Sequence, residues 1–359
     1  MLLHRIFIAV MVLCIAPACS RADETITVVS WGGVYEAAQR RAIYDPFTRA
    51  TGIRVKAVTY SGGVAALDAR ADAEGWDVVD MIEDQAISAC DAGLLARVGV
   101  QQIADAHQTI APVDDFLPGA FRACSVAQNV YATVFAFDDR AFLGEKPAHV
   151  ADFFDLERYP GKRALQRSPD VILEWALMAE GVPISQVYDL LSTDRGLRLA
   201  FRKLESLRGS IIWWQDVGTP AEMLSDGRAV MASGYNGRFF SAQQKTGAPI
   251  TIVWDGQVTG YEVWAILRGA RDQDTAQKFL RFATAPEQMA ALAELIPYGP
   301  ARRSALSRVG LHWKTGVPMR DHLPTAPQHS NRALYGDSLW YARTKELRTK
   351  RFEAWLSNE

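Results

Sequence analysis

The sequence predicts an α/β protein of two lobes, each a sheet of short strands covered by helices. Three observations carry this. The chain has 359 residues, too long for one ordinary domain and suited to two. Apolar strands alternate with amphipathic helices from end to end. No Gly/Ser/Pro-rich linker, repeat or low-complexity tract divides the halves, so strands that cross between lobes are expected to join them. Hydrophobic residues at 49% and charged residues at 22% exclude a disordered scaffold, and a net charge of −2 argues against a nucleic-acid partner.

Residues 1–22 read as a secretory leader. His4 and Arg5 precede an apolar run of ten, 6–15, and small residues up to Ala22 supply a cleavage site. A membrane-crossing helix needs about 20 apolar residues, so this run is too short. A buried N-terminal helix is the bland alternative, and Cys19 leaves a lipid anchor open. Removal of the leader leaves two cysteines, Cys90 and Cys124. In an exported protein these suggest one disulfide, with two buried thiols as the alternative.

Thr25–Ser30 is β-branched and ends in Trp31-Gly32-Gly33, the start of a strand–turn–helix unit. Residues 35–51 have helical spacing, closed by Gly52. Residues 53–60 alternate as a strand, 64–74 suit a helix, 76–82 a strand and 85–96 a helix. Ligands of such sheets bind beyond the carboxyl ends of the strands, here 31–35, 61–63 and 83–84. A buried-type strand at 132–138 opens the second unit. It continues with helices 171–180 and 194–207, strand 211–215, helix 220–226 and strand 229–233. Strands 251–254 and 263–267, helices 274–284 and 286–295, and a helical end at 337–357 complete the chain.

Chemistry is scarce. The six histidines show no metal-ligand spacing, and His322 and His329 read as surface-loop residues. No nucleophile elbow, Walker loop or dinucleotide fingerprint is present, so neither a cofactor, a metal nor an enzyme is expected. Gly62-Gly63 reads equally as an anion cradle or a turn. In the acidic run WDVVDMIED, Asp77 is expected at a solvated edge and Asp84, just past the strand, in a pocket. The remaining candidates are aromatic and charged residues at strand ends: Trp31, Tyr35, Asp84, Trp213, Trp214, Tyr235, Arg238, Tyr261, Glu262 and Tyr298.

Several stretches in fixed order resemble a known family. They are Trp31-Gly32-Gly33, the run from Phe47 through Thr51-Gly52-Ile53 to Val55, and Gly75-Trp76-Asp77-Val78-Val79. Asp152-Phe153-Phe154-Asp155-Leu156 leading to Pro160-Gly161-Lys162, Tyr235-Asn236-Gly237-Arg238, and Tyr298-Gly299-Pro300 follow. The chain resembles the periplasmic solute-binding proteins of ABC importers, in the branch of the spermidine and putrescine receptors. The resemblance implies the type II periplasmic-binding fold. Residues 23–135 with 261–312 would form lobe 1, and 136–260 with 313–359 lobe 2. It implies a monomer that closes on a small molecule and docks on an inner-membrane permease.

One departure directs the choice of ligand. Where polyamine receptors of this branch carry an acid, this chain has Arg238. A guanidinium repels an ammonium and suits a carboxylate, bidentately. With Asp84 or Glu262 left for an amine, and Trp31, Tyr35, Trp214 and Tyr235 stacking on the methylenes, the expected ligand is a short zwitterion such as 4-aminobutyrate. Tyr261 joins the expected set. A polyamine is the alternative within the class. A secreted hydrolase or a tyrosine-based ferric-ion receptor lies outside it, and neither finds its motif.

Overall fold

The computed structural model describes residues 24–103 and 110–357. The leader expected at 1–22, with Cys19, lies outside them. Among the described residues there are ten strands: β1 (Thr25–Ser30), β2 (Arg54–Thr59), β3 (Val78–Ile82), β4 (Ser125–Asp138), β5 (Arg163–Gln166), β6 (Ile211–Trp214), β7 (Met231–Tyr235), β8 (Ile250–Ile266), β9 (Gly299–Pro300) and β10 (Leu334–Tyr335). They form one continuous sheet in the order β2-β1-β3-β8-β4-β7-β5-β6, with β10 on β8 and β9 on β4.

Each end of this sheet is parallel, as helix-connected strands must be. β1 pairs in parallel with β2 and β3, and β5 with β6 and β7. The centre differs. β4 and β8 run antiparallel to each other along most of their length. The sequence suggested separate strands at 251–254 and 263–267; one strand of 17 residues spans both. β4 likewise begins seven residues before the expected 132. The polar stretch Gln128-Asn129 hid its first half, and Gly256 and Gly260 interrupted the pattern of β8.

These two strands are the crossings between lobes, because each enters two cores. Val126 and Ala127 of β4, and residues 263–266 of β8, pack with Val28, Phe47, Met81 and Phe279. Further along, Phe135 and Phe137 of β4, with Val253 and Val258 of β8, pack with Phe153, Trp175 and Leu204. Between the cores the β4–β8 register shifts twice, at Ala127/Asn129 and at Thr133/Phe135. Bulges of this kind bend a strand and re-aim its side chains.

Local chemistry explains the framing elements. Gly52 closes its helix with φ of 78°, as expected. The expected 35–51 helix is interrupted by a π turn, Arg40–Tyr44, which brings Tyr44 back onto Gln39. The Pro160-Gly161-Lys162 turn is held by Arg163, whose fully buried guanidinium donates to the carbonyls of Phe153, Asp155, Tyr159 and Gly161. Cys90 and Cys124 form a disulfide, tying the helix Glu83–Asp91 to the start of β4.

Two expectations are corrected. Asp77 is buried (3% exposed), accepting from the Thr27 N–H and from Arg271. A carboxylate so placed locks β1, β3 and the end of β8 rather than facing solvent. His322 and His329 are half-buried: the His329 ring stacks on Trp254 at 4.0 Å, and His322 packs on Phe240.

Candidate functional site

The two central strands carry polar side chains where they pass between the cores, and the strand ends of both lobes converge on them. On the lobe 1 side, β1 ends at Ser30 and the chain turns at Trp31. The Trp31 ring packs on Tyr60 at 5.4 Å, and its Nε1–H donates to Glu262 Oε2 at 3.0 Å. This explains Gly62. Its φ is 79°, and a Cβ there would lie 2.7 Å from the Trp31 ring. Gly63 N–H donates to Gln85 Oε1, so the pair builds a turn that seats an indole.

Glu262 on β8 is the diagonal neighbour of Asp80 on β3, since Ile82 pairs with Glu262 and Asp80 with Trp264. Both lie on one face. Asp80 is fully buried. Its Oδ2 accepts from Gln39 Nε2 at 2.5 Å and lies 3.2 Å from the Ser30 hydroxyl. Its other oxygen, Oδ1, is buried without a partner, and the Glu262 carboxyl is its neighbour on the adjacent strand. Burial pushes Asp80 up to about 7, against the hydrogen bonds from Gln39, Gln128, Glu262 and Ser30 that pull it down. Burial, and then the Asp80 charge, raise Glu262 well above the ordinary carboxyl range, with Trp31 opposing. Two neighbouring carboxyls on one face, one of them fully buried, oppose each other's ionisation.

Tyrosines surround the pair. The Tyr35 hydroxyl accepts from Asn129 Nδ2 at 2.9 Å, and its ring lies 5.8 Å from that of Tyr298. Tyr235, at the end of β7, meets Tyr131 edge-on at 5.7 Å. Asn236 fixes this corner: Nδ2 donates to Pro297 O, and Oδ1 accepts from the Ala132 N–H. Gly237 lets Tyr298 close in, since a Cβ there would sit 2.9 Å from its ring.

Arg238 follows in the first turn of the helix Asn236–Thr246. It is half-buried and has no hydrogen-bond or ion-pair partner among the described residues. Its charge acts on the Tyr235 and Tyr298 hydroxyls, the same two on which Glu262 acts with opposite sign. A cation in the first helical turn opposes the helix dipole. Neither helix stability nor ion pairing therefore accounts for this residue.

The structure thus brings Trp31, Tyr35, Tyr235, Arg238, Glu262 and Tyr298 into one cluster. Asp84 sits at its edge, in the first turn of the helix after β3, and its charge acts on Glu262, Tyr131 and Tyr235. Burial raises its carboxyl, against the Gln85 backbone, Lys345 and Arg348. Trp214 and Tyr261 lie apart. Trp214 is 2% exposed among Ala164, Leu224 and Phe239 in the lobe 2 interior. Tyr261 precedes Glu262, so strand alternation turns it to the other face, where its hydroxyl donates to Pro118 O. Asp80, Gln39 and Asn129 belong to the cluster without having been singled out. The signal for Asp80 was an acid in the middle of the apolar strand VVDMI.

No group of three or more potential metal ligands is found among the described residues. No helix among them is long and apolar enough to cross a membrane. What the cluster offers is recognition: one free guanidinium, one carboxyl pair and aromatic walls between.

A sheet in two lobes crossed by long strands, with a polar cluster where they cross, is the architecture of a solute receptor. The chain belongs to the family of bacterial extracellular solute-binding proteins, whose model matches residues 42–316. A gamma-aminobutyric acid-binding protein of Pseudomonas aeruginosa is 35% identical over 347 residues, 96% of this chain and 94% of that protein. Among solved structures, an ABC transporter substrate-binding protein from Bradyrhizobium japonicum aligns with a TM-score of 0.81 and 29% identity, covering 92% of this chain and 99% of its own. The Atu4243 GABA receptor aligns at 0.78 and 26%, covering 92% and 97%. The fold is that of the type II periplasmic binding proteins, as the resemblance implied.

Proposed function

We propose that this protein captures a short zwitterion, 4-aminobutyrate in particular, between its lobes and delivers it to an ABC permease of the inner membrane. The observation that carries the reading is Arg238, a half-buried guanidinium without a protein partner, set across Tyr235 and Tyr298 from the carboxyl of Glu262. The names of the Pseudomonas relative and of the GABA receptor support the same ligand.

In this reading Arg238 holds the carboxylate, Glu262 the ammonium, and Trp31, Tyr35 and Tyr235 flank the methylenes. Asp84 adds negative potential at the amine end. Trp214 and Tyr261, which lie apart from the cluster, are given no ligand contact. Contacts from both lobes favour the closed form, so ligand shifts the hinge equilibrium toward the state a permease would read. Lobe 1 is assigned to 23–135 with 261–312 and lobe 2 to 136–260 with 313–359. The protein would work as a periplasmic monomer after removal of residues 1–22, or anchored through Cys19.

A polyamine is the second reading, favoured by Asp84, which gives the amine end a second acid. Thermal-shift titration separates the two. The true ligand raises the melting temperature in proportion to ln(1 + [L]/Kd). Stabilisation by putrescine and none by 4-aminobutyrate would reverse the assignment.

A further inference from the structure

We propose that Asp80 and Glu262 hold one proton between them throughout the binding cycle, so that the pair presents a single negative charge to the ligand. Asp80 takes the proton when an ammonium docks on Glu262. The inference rests on the reading of Glu262 as the amine's partner and adds to it a count of charges.

The geometry is specific. Asp80 Oδ2 is occupied by Gln39, with Ser30 beside it. Asp80 Oδ1 is buried and has no hydrogen-bond partner among the described residues. The carboxyl beside it across the strand pair is Glu262, and two neighbouring carboxyls can share a hydrogen bond only if one keeps its proton. Glu262 Oε2 is engaged by the Trp31 indole N–H. Neither acid forms an ion pair with an arginine or lysine among the described residues.

The titratable neighbours do not supply the missing charge. Around Asp80 stand Tyr35, Tyr44 and Tyr60, all neutral and pushed further from ionising, first by burial and next by the Asp80 charge. Around Glu262 stand Tyr131, Tyr235, Tyr298 and the acid Asp84. The cation Arg238 acts on Tyr235 and Tyr298.

Before binding, burial and the Asp80 charge keep the proton on Glu262, the diagonal neighbour of Asp80. A docking ammonium stabilises the ionised Glu262. The proton then passes to Asp80 on the neighbouring strand, the ammonium keeps its three protons, and none is exchanged with solvent. Arg238 then faces the carboxylate with one positive charge and the pair faces the ammonium with one negative charge, with Asp84 adding negative potential from the edge of the cluster. Asp80 is therefore a positioning and specificity residue, acting on the ligand through Glu262.

Infrared spectroscopy of the full mature chain tests this. The Glu174→Gln background removes a further fully buried acid of raised pKa, and Asp84→Asn beside it removes the acid at the edge of the cluster. Without ligand at neutral pH, a protonated-carboxyl C=O band is expected, lost in Glu262→Gln and persisting when 4-aminobutyrate is added. Trp31→Phe, which removes the indole donor, should shift the band and serves if Glu262→Gln fails to fold. Calorimetry of 4-aminobutyrate in two buffers of different ionisation heat should give equal enthalpies. Absence of the band overturns the proposal, and so does release of about one proton per ligand bound. Failure of 4-aminobutyrate to bind, with the band present, would instead overturn the ligand assignment and leave the shared proton standing.

Discussion

Truncating Arg238 to alanine separates binding from folding, because the guanidinium has no partner among the described residues. No hydrogen bond or ion pair is lost, and no buried acid is left uncompensated. Its place in the first turn of the helix Asn236–Thr246 sets it against the helix dipole by about 0.3–1 kcal/mol. Melting temperature should therefore stay constant or rise slightly. Binding should respond differently. Removing the partner of a sequestered carboxylate costs about 2–5 kcal/mol. At about 1.4 kcal/mol per tenfold, Kd for 4-aminobutyrate should rise from about 30-fold to several-thousand-fold. Putrescine lacks a carboxylate, so its affinity should hold or improve as a like charge leaves. Titration calorimetry with both ligands, beside thermal melts, reads all three quantities. An unchanged Kd for 4-aminobutyrate with a lowered melting temperature would refute the reasoning and make Arg238 structural.

Three other outcomes follow from the same coordinates. Replacing Cys90 and Cys124 together by alanine opens a cross-link of sequence separation 34, which should lower stability by about 3–4 kcal/mol in denaturant melts. Burial raises Glu174 to about 7, with the Tyr341 hydroxyl opposing. An acid raised from an unfolded value of about 4.3 confers stability below that value and loses it as pH climbs toward 7. Glu174→Gln should flatten this slope and gain on the order of 3 kcal/mol over the parent above pH 7, read as urea midpoints from pH 5 to 8; an unchanged slope would contradict it. Gly237→Ala places a methyl 2.9 Å from the Tyr298 ring and should weaken ligand binding by about tenfold or more, measured by calorimetry.

Much of the fold was legible because its strands are short, apolar and bounded by turns. Thr25–Ser30 and the helices at 64–74 and 286–293 stand where periodicity put them. The crossing strands were not legible. Their middle residues, such as Gln128, Asn129, Gln257 and Thr259, are buried polar groups whose partners come from distant segments, and hydrophobic alternation cannot register them. The cluster was partly legible for the same reason: Trp31, Tyr35, Tyr235, Arg238 and Glu262 lie at or near strand ends. Tyr261 was drawn in by adjacency to Glu262, and only the strand register shows it on the opposite face. Asp80 was legible only as one acid of the run WDVVDMIED, because its meaning depends on a diagonal neighbour 182 positions away, which pairing alone reveals.

Native mass spectrometry of the protein, purified from its host without unfolding, tests most directly whether Arg238 selects a carboxylate-bearing amine. A retained mass increment equal to one 4-aminobutyrate is expected, released on mild activation and absent in Arg238→Ala. A retained diamine or polyamine, or the same increment in Arg238→Ala, would contradict it.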